Sequence, residues 1–194
     1  THKTETAEPG YYKVTLDDYQ IDAELTATAH CGMHKYSFTQ KDNQHILLDL
    51  SHRDKVLDSY FEVISDKEIR GLRRSTAWAR DQYVYFTAQF SVPIKQVIVT
   101  DSFRLMNNAK LYRGKDLRAA FVFESHDEII VKVGISAVDN QGSTNNLTRE
   151  IPHWNFDQIK NATQAEWEKE LNKIHIKGGT QNEQVSFYTA LYHN

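Results

Sequence analysis

Residues 81–90 read DQYVYFTAQF. In an extended chain Val84, Phe86, Ala88 and Phe90 point to one side and Tyr83, Tyr85, Thr87 and Gln89 to the other. Both sides are large and mostly apolar, and β-branched and aromatic residues suit a pleated surface. A strand with two such faces sits between layers, so the fold is read outward from it.

The alternation extends from Tyr11 to about Val138. YYKVTL places Tyr12, Val14 and Leu16 on one side, DDY turns the chain, and IDAELTATAH answers with Ile21, Ala23, Leu25, Ala27 and Ala29. That pair reads as a hairpin. GMHKYSFT, HILLDL, KQVIVTDSF, AAFVFES and EIIVKVGISAV follow, giving about nine strands with turns between them and no crossover helices. The fold class expected is mainly β, an antiparallel sandwich.

After DNQGSTNNL the period changes. Residues 155–174 bring Phe156, Ile159, Thr163, Trp167, Leu171 and Ile174 to one side at spacings of three and four, which predicts an amphipathic helix. Asn155 is placed to cap it, with Gln158 three residues on completing a capping box. KGGTQ breaks the chain again, and NEQVSFYTALYHN begins a second helix. There Val185, Phe187, Tyr188, Leu191 and Tyr192 cover more than one side. So short a helix cannot bury that surface alone. The expected organisation is a β-sandwich over 1–154, a helical linker over 155–182, and the first helix of a further helical domain over 183–194.

Composition excludes several classes. Lys and Arg total 23 against 26 Asp and Glu, a net charge of -3 among 194 residues, so no overall positive field exists to hold nucleic acid. The densest basic stretch, RGLRRSTAWARDQYVYF (70–86), reads as a solvated turn leading into a strand. A single cysteine, Cys31, rules out an intrachain disulfide. No apolar run approaches the roughly 20 residues of a membrane helix. THKTETAEPG has neither an initiator Met nor a signal-peptide pattern, so Thr1 reads as a cut end.

Few residues offer self-contained chemistry. HCGMH supplies His30, Cys31 and His34, but on a strand residues four apart lie roughly 13 Å from each other. That is too far to share one zinc with bonds of about 2.0 Å. A polar strand face with a small buried patch at Cys31 and Met33 is the plainer reading. DLSHRD gathers Asp49, His52, Arg53 and Asp54 as a salt-bridged loop or a sugar-binding cluster. Paired carboxylates do the work in most glycosidases. Asp17 with Asp18, and Asp22 with Glu24, are neighbours that hairpin turns explain. No nucleophilic serine motif, phosphate loop or helix-loop-helix calcium pattern occurs.

Five segments, in order, carry a resemblance: EPGYYKVTLDDYQIDAELTATAHCGMHKYSF (8–38), RRSTAWARDQYVYFTAQFS (73–91), VKVGIS (131–136), AEWEKELNKI (165–174) and above all FYTALYH (187–193). Together they resemble glycoside hydrolase family 92, the calcium-dependent exo-acting α-mannosidases, over nearly the whole chain. The resemblance implies an N-terminal β-sandwich joined by a helical linker to a larger (α/α)6 barrel, with FYTALYH similar to the first barrel helix. It also implies inverting hydrolysis of terminal α-mannosidic bonds, with calcium helping to bind and distort the sugar, a Glu acid and an Asp base.

Those groups belong to barrel segments that this sequence lacks, so no catalytic residue and no metal ligand is assigned here. An earlier N-terminal segment is expected to be missing as well. Mannose-containing glycans and the barrel are the implied partners, and export to a bacterial periplasm or cell surface is the implied location. Family members often read GFHRYTF where this chain has GMHKYSF (32–38), so Met33 replaces an aromatic and Lys35 an arginine. The candidates for sugar proximity are Met33, His34 and Trp78. Two further readings compete: a stand-alone carbohydrate-binding module using Trp78, Tyr83 and Tyr85, and a subunit interface formed by the aromatic terminal helix.

Overall fold

The computed structural model describes residues 2–193. Its strands are β1 (Glu5–Glu8), β2 (Tyr11–Leu16), β3 (Ile21–Ala27), β4 (Cys31–Phe38), β5 (His45–Asp49), β6 (Lys55–Ser65), β7 (Glu68–Thr76), β8 (Gln82–Phe90), β9 (Ile94–Asp101), β10 (Arg104–Leu105), β11 (Leu111–Gly114), β12 (Leu117–Phe123) and β13 (Glu128–Ser136). Three helices follow, α1 (Asn140–Glu150), α2 (Phe156–Leu171) and α3 (Gln181–Tyr192).

Nine strands form a large antiparallel sheet in the order β1-β2-β3-β4-β13-β8-β7-β6-β11. Four form a smaller one, β10-β9-β12-β5. Between the sheets lies the main core. Phe61, Ile69, Phe86 and Phe90 of the large sheet meet Val99, Leu117, Phe121 and Phe123 of the small one. Phe90 and Phe121 rings stand 5.4 Å apart, and burying each such side chain contributes about 1.5–3 kcal/mol. An antiparallel sandwich followed by helices is the observed architecture.

β8 has both faces occupied, as its pattern requires. Phe86, Ala88 and Phe90 enter the intersheet core. On the other face the buried Thr87 hydroxyl shares hydrogen bonds with Ser143 (2.8 Å) and Thr144 (2.9 Å) of α1. This helical layer closes a second core of Cys31, Met33, Ile130, Leu147, Ile151, Phe156 and Ile159.

Two elements differ from the sequence reading. Residues 140–150 form a helix where a polar break was expected, capped by the Asp139 carboxylate accepting from the Gly142 amide (2.6 Å). Residues 68–76 form a strand where a solvated turn was expected, because each arginine finds acceptors. Arg70 pairs with Glu68, Arg74 forks onto Asp81, and Arg73 donates to the carbonyls of Leu50, His52 and Asp54. Arg73 therefore organises the DLSHRD loop from below, while Asp49 turns to Ser51 and Arg118.

The linker helix starts at its expected cap, but Gln158 does not complete the expected capping box: only the Asn155 half of it forms. Asn155 accepts from the Gln158 amide (3.1 Å) at the start of α2. The helix ends at Leu171, leaving Ile174 beyond it. The reciprocal capping box is present at α3, between Thr180 and Glu183.

Candidate functional site

A cleft of about 1510 Å³ opens at one end of β2, β3 and β4, walled by α2 and α3. Its floor is made by two turns. Gly10, at φ +79°, lets the β1–β2 turn approach α2 so closely that an added Cβ would stand 2.8 Å from Thr163 Cγ2 and 3.1 Å from Trp167 Cδ1. Only glycine accepts both that backbone and that contact. The Thr26 hydroxyl donates to the Gly10 carbonyl (2.7 Å) and ties the two turns together.

The β3–β4 turn is held by Glu150, at the end of α1. Its carboxylate accepts from the Thr28 hydroxyl (2.6 Å) and the His30 amide (2.9 Å), and meets His30 Nδ1 at 2.7 Å. Burial by itself would raise this carboxyl, but the bonds from Thr28 and His30 outweigh it and hold the group at about 2. Neighbouring Cys31 is pushed up to about 12, chiefly by burial. Its thiol stays protonated and inert near neutral pH.

The structure separates the three predicted sugar contacts. His34 lines the cleft, with Nδ1 3.0 Å from the Tyr36 hydroxyl. Burial lowers its pKa, so the imidazole is neutral near pH 7. Met33 is fully buried in the core beneath α1 and α2, where it packs and meets no solvent. Trp78 lies wholly exposed on the loop between β7 and β8. Tyr83 and Tyr85 stack on each other with centroids 6.3 Å apart, and Arg74 covers Tyr83 at 4.9 Å. They form a ladder with Arg74 instead of an open platform with Trp78.

Trp167, Tyr188 and Tyr192 complete the aromatic lining. The sequence marked them as helix-face residues, and only the turn at Gly10 brings them to a cleft. Glu166 and Glu170 also line it, both from α2. Four residues apart on one helix, they project from the same wall. An acid and a base for inverting hydrolysis must instead flank the bond from opposite sides, about 6.5–9.5 Å apart. Among the described residues no group of three or more His, Cys, Asp or Glu side chains is placed to hold a metal ion. Glu8 lines the cleft as well, from β1, and accepts from Gln164 Nε2 (3.0 Å). The cleft walls can bind and orient.

α3 forms one wall yet buries none of its side chains. The cleft also exceeds the roughly 300–1,000 Å³ of ordinary small-molecule sites. No helix of the described residues is long and apolar enough to cross a membrane.

Comparison with known proteins adds a separate line of evidence. The model for the glycosyl hydrolase family 92 N-terminal domain matches residues 1–136, and that for the family 92 catalytic domain matches residues 142–194. The chain superposes on the family GH92 α-mannosidase BT3965 from Bacteroides thetaiotaomicron with a TM-score of 0.91 and 30% identity, covering 100% of this chain and 27% of that one. That enzyme is also known in complex with mannoimidazole. The GH92 glycosyl hydrolase ccman5 gives 0.90 and 26% identity over 99% of this chain and 28% of its own. An uncharacterized secreted glycosidase of Arthroderma benhamiae is 23% identical over 96% of this chain and 28% of its length. The chain thus spans little more than a quarter of each of these relatives.

Proposed function

Because the chain belongs to glycosyl hydrolase family 92, we propose that it is the supporting β-sandwich domain, linker and first barrel helix of an exo-acting α-mannosidase. The whole protein hydrolyses terminal α-mannosidic bonds of glycans with inversion. In this reading residues 1–154 form the sandwich, 155–182 the linker, and 183–194 the opening of an (α/α)6 barrel. The remainder of the barrel packs on α2 and α3, and the general acid, the general base and the calcium ligands lie outside these 194 residues.

The observation that carries this reading is α3. An aromatic helix that leaves every side chain at least partly open, within the span matched by the catalytic-domain model, is one member of a larger helical layer. His34 then serves as the sandwich's contribution to the neighbourhood of the sugar, and Trp167, Tyr188 and Tyr192 as that of the linker and the first barrel helix. The fungal relative is a secreted glycosidase, which supports an extracellular or periplasmic location.

The test compares hydrolysis of an aryl α-mannoside by the full-length protein and by the 194-residue chain. Turnover by the first, releasing β-mannose as the initial product in a proton NMR time course, and none by the second is the expected pair of results. Turnover by the chain alone overturns the assignment.

A further inference from the structure

His34 and Tyr36 stand two apart on β4 and share a face, their rings meeting edge to face with centroids 6.0 Å apart. The cross-strand neighbours of His34 are Leu25 and Val131, and those of Tyr36 are Ala23 and Ile129. All four are apolar, so the two polar side chains have each other: the Tyr36 hydroxyl lies 3.0 Å from His34 Nδ1.

The proton of that bond can sit on either atom. If Nδ1 carried it, the Tyr36 hydroxyl would accept, and its own proton would have no acceptor among the described residues. If Tyr36 donates, both inner atoms are satisfied and the imidazole proton falls on Nε2. Burial keeps both rings uncharged near neutral pH, lowering the pKa of His34 and raising that of Tyr36.

Nε2 faces the cleft. It has no partner among the described residues and is not sealed off by protein. Gly32 lines the cleft beside it, where a Cβ would stand 3.5 Å from Nε2, so the glycine keeps that edge of the ring open. A neutral N–H at this place suits an uncharged oxygen acceptor and brings no charge to a phosphate or carboxylate.

We propose that His34 Nε2–H donates to a hydroxyl or ring oxygen of the bound mannoside, and that Tyr36 is the positioning residue that fixes this tautomer from inside the sandwich. This rests on the reading of the chain as part of an α-mannosidase. It specifies what the β-domain gives the sugar, a single uncharged donor.

Nitrogen-15 NMR of the full-length protein labelled at histidine tests this, with the His34 signals identified by their loss in His34→Gln. In the wild type Nε2 should carry the proton, and added methyl α-mannoside should shift its signal. Tyr36→Phe should leave a mixture of tautomers and raise KM for an aryl α-mannoside about fivefold, with kcat within about twofold. His34→Leu should raise KM by about the same factor, whereas His34→Gln, whose amide N–H comes near the place of Nε2, should stay within about twofold of the wild type.

A proton on Nδ1 in the wild type overturns the proposal. So does a tautomer unchanged in Tyr36→Phe, an Nε2 signal that methyl α-mannoside does not move, or an unchanged KM in His34→Leu. A shifted Nε2 signal in a protein that hydrolyses no α-mannoside sinks the mannosidase reading alone, and hydrolysis without the shift sinks this inference alone.

Discussion

The rings of Trp167 on α2 and Tyr192 on α3 lie 4.5 Å apart, tilted by 53°. With the Tyr188 hydroxyl donating to the Ile174 carbonyl (3.1 Å), this pair attaches a 12-residue helix that buries no side chain. An aromatic pair contributes about 0.5–1.5 kcal/mol, and isolated helices of this length are marginal in water. Trp167→Ala should release α3 in the 194-residue chain and leave the sandwich intact. Protease cleavage in residues 181–192 should accelerate while the denaturant midpoint of the β-domain stays in place. A cooperative loss of the whole fold would show instead that α3 is integral to the sandwich.

Glu150 sets the acid sensitivity of the β3–β4 turn. Its folded value of about 2 lies below the ordinary 4.5, so its contribution is complete above pH 4.5 and is lost as pH falls toward 2. The side chain is 13% exposed, and the contribution is on the order of 2–3 kcal/mol. Glu150→Gln should lower stability at pH 6 and flatten its dependence between pH 4.5 and 2. Urea midpoints measured across that window check the slope; an unchanged slope contradicts the assignment.

Gly10 is the hinge of the cleft floor. Gly10→Ala places a methyl group 2.8 Å from Thr163 Cγ2 on a backbone at φ +79°. The conformation costs about 1–2 kcal/mol and the overlap adds about 1–3 kcal/mol. Thermal unfolding should report that loss, and the tryptophan emission of Trp167 should shift as α2 withdraws from the turn.

Thr87 anchors the helical layer to the sheet through two buried hydroxyl bonds. Thr87→Val keeps the shape and removes one hydrogen-bond partner from Ser143 and from Thr144, whose hydroxyls still donate to the Asn140 carbonyl (2.9 Å each). The expected cost is about 0.5–1.5 kcal/mol, with faster amide exchange along α1. Equal stability of the variant in urea would show that the Asn140 carbonyl alone holds those hydroxyls.

The two-faced pattern at Tyr83–Phe90 was readable because each face meets an apolar or hydrogen-bonding layer, and α2 was readable because its apolar stripe and Asn155 cap are local signals. α1 was hidden. NQGSTNNLTRE is poor in helix formers, and its stability comes from Thr87, from Asp139 and from the buried Leu147, which only the folded sheet brings into range. β7 was hidden for a related reason: its arginines look solvated until acceptors from loops distant in sequence are in place.

At the site, alternation correctly set Met33 and His34 on opposite faces, but no local signal told which face the helices would cover. The cleft itself depends on the φ of Gly10 and on the packing of α2, which spacing does not encode.

The most direct measurement is hydroxyl-radical footprinting of Phe187, Tyr188 and Tyr192 in the 194-residue chain and in the full-length protein. Strong labelling in the chain and protection in the full-length protein is the outcome predicted for a helix that belongs to a larger barrel. Equal labelling of these side chains in both proteins would contradict it.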